Sequence, residues 1–330
     1  VDARRSDLRD AALVEVMMTG TTLAGADLSS SLVRECDLSS ADLSDLQASG
    51  VRLVSCTVVG ALARRAVFDD AHFAECDLAR IDGRDSSLAR AAIHNCLASE
   101  ACLAGANLSQ AVLTGTQFSN AVLSRAKLRG GSMTAVLLEG AVAADADLTS
   151  CEIRDSDFTG ITAPGSIFRK ALLAGVKAAH ADLSRSDLSG TTASASIFER
   201  STLWHAALIG SRVTGCSFEF ADLRAIDALE SDFTGTSFVG ADLRGARLHR
   251  CVLRDADFYW ADLTDCEFVD CDAEGARFPE PVRIAYGLTS AAPPLVARVP
   301  LYRTPATEDE YRAMLSSCLN SDLEARDTPK

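Results

Sequence analysis

The sequence predicts an all-β solenoid, a chain wound as a four-sided coil of five-residue steps. Three observations predict it. A large apolar residue recurs every five positions, from Leu8, Leu13, Met18 and Leu23 to Phe268, Ala273 and Phe278. Of these 55 positions only Gly83 lacks an apolar side chain. Two residues before each stands a small one, as at Ser6, Ala11, Thr21, Ala26, Ser31, Cys36 and Ala41. Like residues then recur at twenty: Phe198, Phe218, Phe238, Phe258 and Phe278; Leu183, Leu203, Leu223, Leu243 and Leu263; Cys36, Cys56, Cys76 and Cys96. A helix repeats its apolar face at 3.6 residues and a strand at 2, so a beat of five fits neither. It fits a chain that runs extended for a few residues, turns a corner and repeats. Recurrence at twenty makes four such steps one coil.

The elements follow in order. Residues 1–278 form the solenoid, and the unbroken register from 6 to 278 gives about 14 coils. At the sheet spacing of about 4.8 Å the rod is roughly 65 Å long. The large residue and the small one before it point inward, and stacking buries a continuous axial core. Open ends of such a rod expose strand edges and core, so both need covers. Seven of the eight prolines lie beyond Phe278, so residues 279–306 read as an extended loop over the end of the rod. Thr307-Glu308-Asp309-Glu310 then resembles a capping box. Tyr311, Met314, Leu315, Cys318, Leu319 and Leu323 follow at helical spacing. They predict one amphipathic helix over about 308–324 that closes the last coil, joins a second chain, or both.

Recurrent triplets carry a family resemblance: Ala26-Asp27-Leu28, Ala41-Asp42-Leu43, Ala106-Asn107-Leu108, Ala181-Asp182-Leu183, Ala221-Asp222-Leu223, Ala241-Asp242-Leu243 and Ala261-Asp262-Leu263. The sequence resembles pentapeptide-repeat proteins over residues 6–278. The resemblance implies the family's right-handed quadrilateral β-helix. It also implies a non-enzymatic protein-binding rod. Some members imitate the shape and charge of duplex DNA, bind DNA gyrase or topoisomerase IV, and confer resistance to quinolones or other topoisomerase inhibitors. Such members are commonly dimers joined at their C-terminal ends, so a homodimer through that end is expected. Some carry loops that interrupt the repeat and assist protection of gyrase. The register here never slips, so loops of that kind are not expected.

Composition narrows the function. Apolar residues are 48% and charged residues 24%, as in a folded chain. The first thirty residues lack a signal-peptide layout, and no long uncharged apolar run occurs, so a cytoplasmic protein without a membrane span is expected. A net charge of −14 argues against direct nucleic-acid binding, which needs Lys and Arg. Nine of the eleven cysteines fall on the small inward position, where Cys packs as a small hydrophobe. Neither a disulfide nor a zinc pair is expected. His72 and His94 sit one coil apart on one face, and solvated imidazoles are the better reading than a metal site. HExxH, Walker, GxGxxG and GxSxG motifs are absent, so neither catalysis nor a cofactor is expected.

Charge is uneven along the rod. Residues 221–275 hold thirteen acids and five bases, net −8. They rise about 13 Å at the sheet spacing, or about one net charge per 1.7 Å, close to duplex DNA. The candidate phosphate mimics are Asp222, Asp232, Asp242, Asp257, Asp262, Asp265 and Glu267. Against them stands the reading that the second repeat position favours Asp and that acidity keeps an edge-rich rod soluble. Phe220, Tyr259 and Trp260 stand at outward positions of one face with Val239 between them. With Tyr311, Met314, Leu315 and Leu319 they are candidates for tail docking or dimer contact. The alternative function is a scaffold or adaptor that binds an unrelated protein through the rod faces and tail.

Overall fold

The computed structural model describes residues 2–280 and 295–298. The chain is an all-β parallel solenoid of about 13 turns, and its coils pair in a single register. Asp2 pairs with Thr22, Asp7 with Asp27, and the offset of twenty holds to Asp257 with Arg277. Each step is locked from both sides. The amide of Leu8 donates to Asp27 O (2.7 Å) in the coil above, and the amide of Asp27 donates back to Ser6 O (2.9 Å).

Large inward residues and their small companions form one core. Leu23, Leu43, Phe218, Phe238 and Phe258 are buried beside Ala26, Ala41, Ala221, Ala241 and Ala261. Phe198, Phe218, Phe238, Phe258 and Phe278 stack along one wall. Their centroids are 4.9, 5.7, 4.9 and 5.1 Å apart, and successive rings lie within 9° of parallel. Phe233 and Phe268 meet this stack edge-on. At Gly83 Leu103 of the next coil moves into the inward site, its Cδ2 lying 2.8 Å from where a Cβ would stand. A cavity of about 30 Å³ lies there, lined by Phe68, Phe73, Leu88 and Leu103 among others.

Corners come in two kinds. Most close with a backbone turn bond, such as the amide of Ala26 to Leu23 O (2.9 Å), with Gly25 at φ +67°. That is the type II geometry. At one corner per coil the chain instead stays extended as a three-residue strand. These strands form an eleven-stranded parallel sheet from β1 (Ala12–Val14) to β11 (Arg212–Thr214). The sheet then moves one wall back. β12 (Asp227–Leu229), β13 (Arg247–His249) and β14 (Glu267–Cys271) begin a second sheet on the neighbouring side.

The extended corner explains the cysteine column better than size alone. Without the turn bond, the carbonyl that would accept it and the amide that would donate it both need partners. Thiols and hydroxyls from neighbouring coils supply them. Cys56 Sγ donates to Val33 O (3.3 Å), Thr116 Oγ1 to Ile93 O (3.2 Å) and Ser196 Oγ to Leu173 O (3.3 Å). The amides of Val16 and Val136 donate to Cys36 Sγ (3.4 Å) and Ser156 Oγ (3.1 Å). Where the sheet changes wall, the column changes with it. Cys251 Sγ donates to Ala228 O (2.9 Å) and Cys271 Sγ to Leu248 O (3.0 Å).

Beyond Phe278 the expectation of an extended loop changes in one respect. Leu295–Arg298 form a strand, β15, antiparallel to β14, with Arg298 opposite Glu267 and Leu295 opposite Cys271. It pairs the backbone edge that the last coil leaves open on that side. The expected helix over 308–324, with Tyr311, Met314, Leu315 and Leu319, lies outside the described residues.

Candidate protein-binding surface

The second residue of a step points outward, and Asp there has a structural task. Asp222, Asp232, Asp242, Asp257 and Asp262 each accept through Oδ1 the amide two residues on, at 2.8 to 3.2 Å. This is the Asx turn, which stiffens the approach to the corner. The second oxygen of these carboxylates faces a guanidinium. Arg224 lies 2.6 Å from Asp222 and 3.7 Å from Asp242, and Arg244 lies 2.6 Å from Asp242 and 3.7 Å from Asp262. Asp222–Arg224–Asp242–Arg244–Asp262 is therefore an alternating ladder up one wall. Asp232 faces Arg212 (3.7 Å) and Asp257 faces Arg277 (3.4 Å).

Of the seven sequence candidates, the fold brings Asp222, Asp242 and Asp262 together on one wall, with Asp265 at its corner. Asp232, Asp257 and Glu267 stand on the other three walls, and Glu267 meets His249 at 3.6 Å. Sequence reasoning missed Asp255 and Asp270. Like Asp265 they are exposed corner residues with positive φ. None of these three is in an ion pair among the described residues. The signal was repeat position: an acid at the fifth residue caps no turn, so its charge stays available unless a fifth-position arginine one coil on pairs with it, as Arg250 does with Glu230.

The same arginine contacts lower carboxylate pKa values along the rod. Arg9 holds Asp7 at about 2 through a hydrogen bond. Arg84, with Arg64, holds Asp82 well below the usual range, and Arg65 and Arg90 lower Asp45 and Asp70. A carboxylate whose pKa is depressed on folding stabilises the fold above its unfolded pKa, about 4. That contribution is lost as pH falls through the folded value. The thermal midpoint is therefore expected to stay level from neutral pH to about 5 and to fall below about 4. The fall should be shallower in Asp82→Asn. A midpoint that rises on acidification would contradict this account.

The aromatic candidates stand along a corner, not across a face as the sequence suggested. Phe220 is 49% exposed. Its ring lies across Gly240 of the next coil, where an added Cβ would come within 2.6 Å of two ring carbons. Tyr259 and Trp260 stack at 5.7 Å one coil beyond, and Val239 is half-buried between. Arg200 covers Phe220 at 5.5 Å and Arg277 covers Tyr259 at 4.2 Å.

No group of three or more His, Cys, Asp or Glu that could hold a metal ion forms among the described residues. His72 and His94 lie in adjacent strands, His72–Ala74 and Ala92–His94, without a further ligand. The cavity beside Gly83 has room for about one water molecule. Every described cysteine is a free thiol, and all but Cys102 are buried. Burial pushes the Cys151 and Cys216 thiols up to about 11, which leaves them protonated and unreactive at neutral pH. A maleimide is therefore expected to label Cys102 alone among the described cysteines, read by peptide mass. Fast native labelling of Cys76 or Cys151 would show that the core opens.

A coil of four five-residue sides, with small and large residues alternating inward, defines a quadrilateral β-helix built from pentapeptides. The family profile described as pentapeptide repeats (8 copies) matches residues 22–58, 93–130, 101–140, 166–204, 211–250 and 241–278. The chain belongs to the pentapeptide-repeat family. No curated protein matches it. Among solved structures, two trypsin-treated forms of QnrB1, a plasmid-mediated fluoroquinolone resistance protein, are similar. One is 25% identical, covering 61% of this chain and 81% of QnrB1, at TM-score 0.24. The other is 23% identical, covering 66% and 88%, at TM-score 0.27. HetL, a pentapeptide-repeat protein involved in heterocyst differentiation regulation from the cyanobacterium Nostoc sp. strain PCC 7120, is 19% identical. That match covers 84% of this chain and 90% of HetL, at TM-score 0.17.

Proposed function

We propose that the chain is a cytoplasmic, non-enzymatic protein-binding rod whose acidic last coils engage the DNA-binding surface of a type II topoisomerase, DNA gyrase or topoisomerase IV. A homodimer through the C-terminal end would double that acidic surface. The observation that carries this reading is the net charge of −8 over residues 221–275, with Asp255, Asp265 and Asp270 exposed at three corners and outside ion pairs. The Asp222–Asp262 ladder contributes less than its acid count suggests, because Arg224 and Arg244 neutralise part of it.

That neutralisation favours a second reading, a scaffold that meets an unrelated partner through the aromatic corner and tail. A supercoiling assay separates the two. Purified full-length chain is expected to inhibit or protect gyrase, less strongly as salt screens the contact. The combined change Asp255→Lys, Asp265→Lys and Asp270→Lys should raise the concentration needed by about tenfold or more, since close interfacial charges couple by more than about 1.4 kcal/mol. Asp242→Lys and Asp262→Lys should act in the same direction with a smaller effect. If both topoisomerases ignore the wild-type chain at low salt, the scaffold reading stands.

A further inference from the structure

The wall that carries Asp222, Asp242 and Asp262 loses its charge lower on the rod. Over the six steps from Cys102 to Trp204 it presents twelve outward residues, the second and fourth of each step, and only Asp182 among them is charged. The next step on either side is charged at both places, with Asp82 and Arg84 below and Asp222 and Arg224 above. The stretch is one continuous parallel face, paired from Cys102 through Val122, Val142, Thr162 and Asp182 to Thr202. Val142 is 36% exposed, and Trp204 stands half-buried at the upper end. An exposed face with so little charge marks a contact surface. In a chain of net charge −14 it is also where another copy can approach with few opposing acids.

The two ends of this face complement each other. Trp204 is the bulky end, and Ala104 is its small counterpart at the other. Glu100 and Arg200 stand on one corner five coils apart, about 24 Å. Both are exposed, and neither is in an ion pair among the described residues. A two-fold axis crossing the rod between Val142 and Thr162 lays the wall antiparallel on its own image. Trp204 of each copy then sits on Ala104 of the other, and Glu100 faces Arg200, each contact made twice. Asp85 reaches over Gly105, where it meets His205 of the other copy. Arg125 comes level with Arg185, but Arg185 is drawn a coil away, over Trp204 at 4.9 Å. A parallel pair would instead set Arg185 beside His180 and Arg200 beside His205, and would leave Glu100 without a counterpart.

We propose that this face is a self-association surface, on which a second copy of the chain packs side by side and antiparallel. The face is about 24 Å tall and about 10 Å wide, well below the roughly 800 Å² per partner of a standard interface. The dimer is therefore weak and reversible. It is distinct from a junction at the C-terminal ends and stands independently of any topoisomerase contact.

Sedimentation equilibrium of the full chain over a range of concentrations tests it. Trp204→Glu should weaken the dimer about tenfold or more, as loss of a central tryptophan anchor does, with the thermal midpoint of the dilute rod unchanged. Glu100→Arg and Arg200→Glu should each weaken it, and the two together should restore it. A short bis-maleimide reads the register, with Cys318→Ser in every chain. Thr202→Cys should be linked between chains to Cys102. A chain without Thr202→Cys should not be linked, because its two Cys102 thiols would stand about 24 Å apart.

A chain that stays monomeric at its highest soluble concentration would overturn the proposal. So would a dimer indifferent to Trp204→Glu, which would place the junction elsewhere, or linkage between two Cys102 thiols, which would make the pair parallel. A chain inert toward gyrase that dimerises in this way would keep the face and lose only the function proposed above.

Discussion

Phe238→Ala is expected to destabilise the rod by about 3–5 kcal/mol, the range for truncating a buried aromatic, read as a lower denaturant midpoint. Phe238 is 1% exposed. It lies between Phe218 at 5.7 Å and Phe258 at 4.9 Å, with Phe233 edge-on at 5.6 Å. The coils above and below are held apart by their own hydrogen bonds, so the walls cannot close over the void. Phe238→Leu should cost less, because it keeps much of the volume while losing the ring contacts. A loss below about 1 kcal/mol on truncation to Ala would mean that the stack is not close-packed.

Cys251→Val is expected to cost about 1–3 kcal/mol, the penalty for a buried acceptor left without its donor. Cys251→Ser should stay near neutral, because an oxygen can make the same bond. Cys251 is 1% exposed and its sulfur lies 2.9 Å from Ala228 O and 3.6 Å from His249 O. Val preserves size and apolarity, so packing alone predicts the opposite order, with Ser the worse replacement. Equilibrium unfolding of the two variants decides between packing and hydrogen bonding. Val136 and Val176 stand at the equivalent extended corner lower on the rod, in the column of Cys36 and Cys216, which sets the expectation toward the lower half of that range.

The coil was legible because burial sets its beat. A side chain every five residues must be apolar, and no local preference competes with that demand over 55 positions. The wall change between Arg212–Thr214 and Asp227–Leu229 was not legible from the beat, since both kinds of corner advance the chain by five residues. Its trace was chemical: Ser196 and Cys216 stand on one column, and Ser231, Cys251 and Cys271 on the next. The strand Leu295–Arg298 has no period to betray it, because pairing with Glu267–Cys271 depends on an edge that only the folded rod possesses. Among the acids, type was legible and availability was not. Asp222 and Asp265 are the same residue, but one is bound to its own turn and to Arg224, and the other stands clear at a corner.

The column of thiols and hydroxyls has a consequence beyond this chain. Because those atoms replace a missing turn bond, a run of cysteines works as a mark of corner geometry written in the primary structure. In any rod wound this way, Cys recurring at twenty among the small interior sites, as at 36, 56, 76 and 96 and again at 251 and 271, should chart which edge is broad and where it migrates, whereas Ser also settles at closed corners, as Ser31 and Ser201 do.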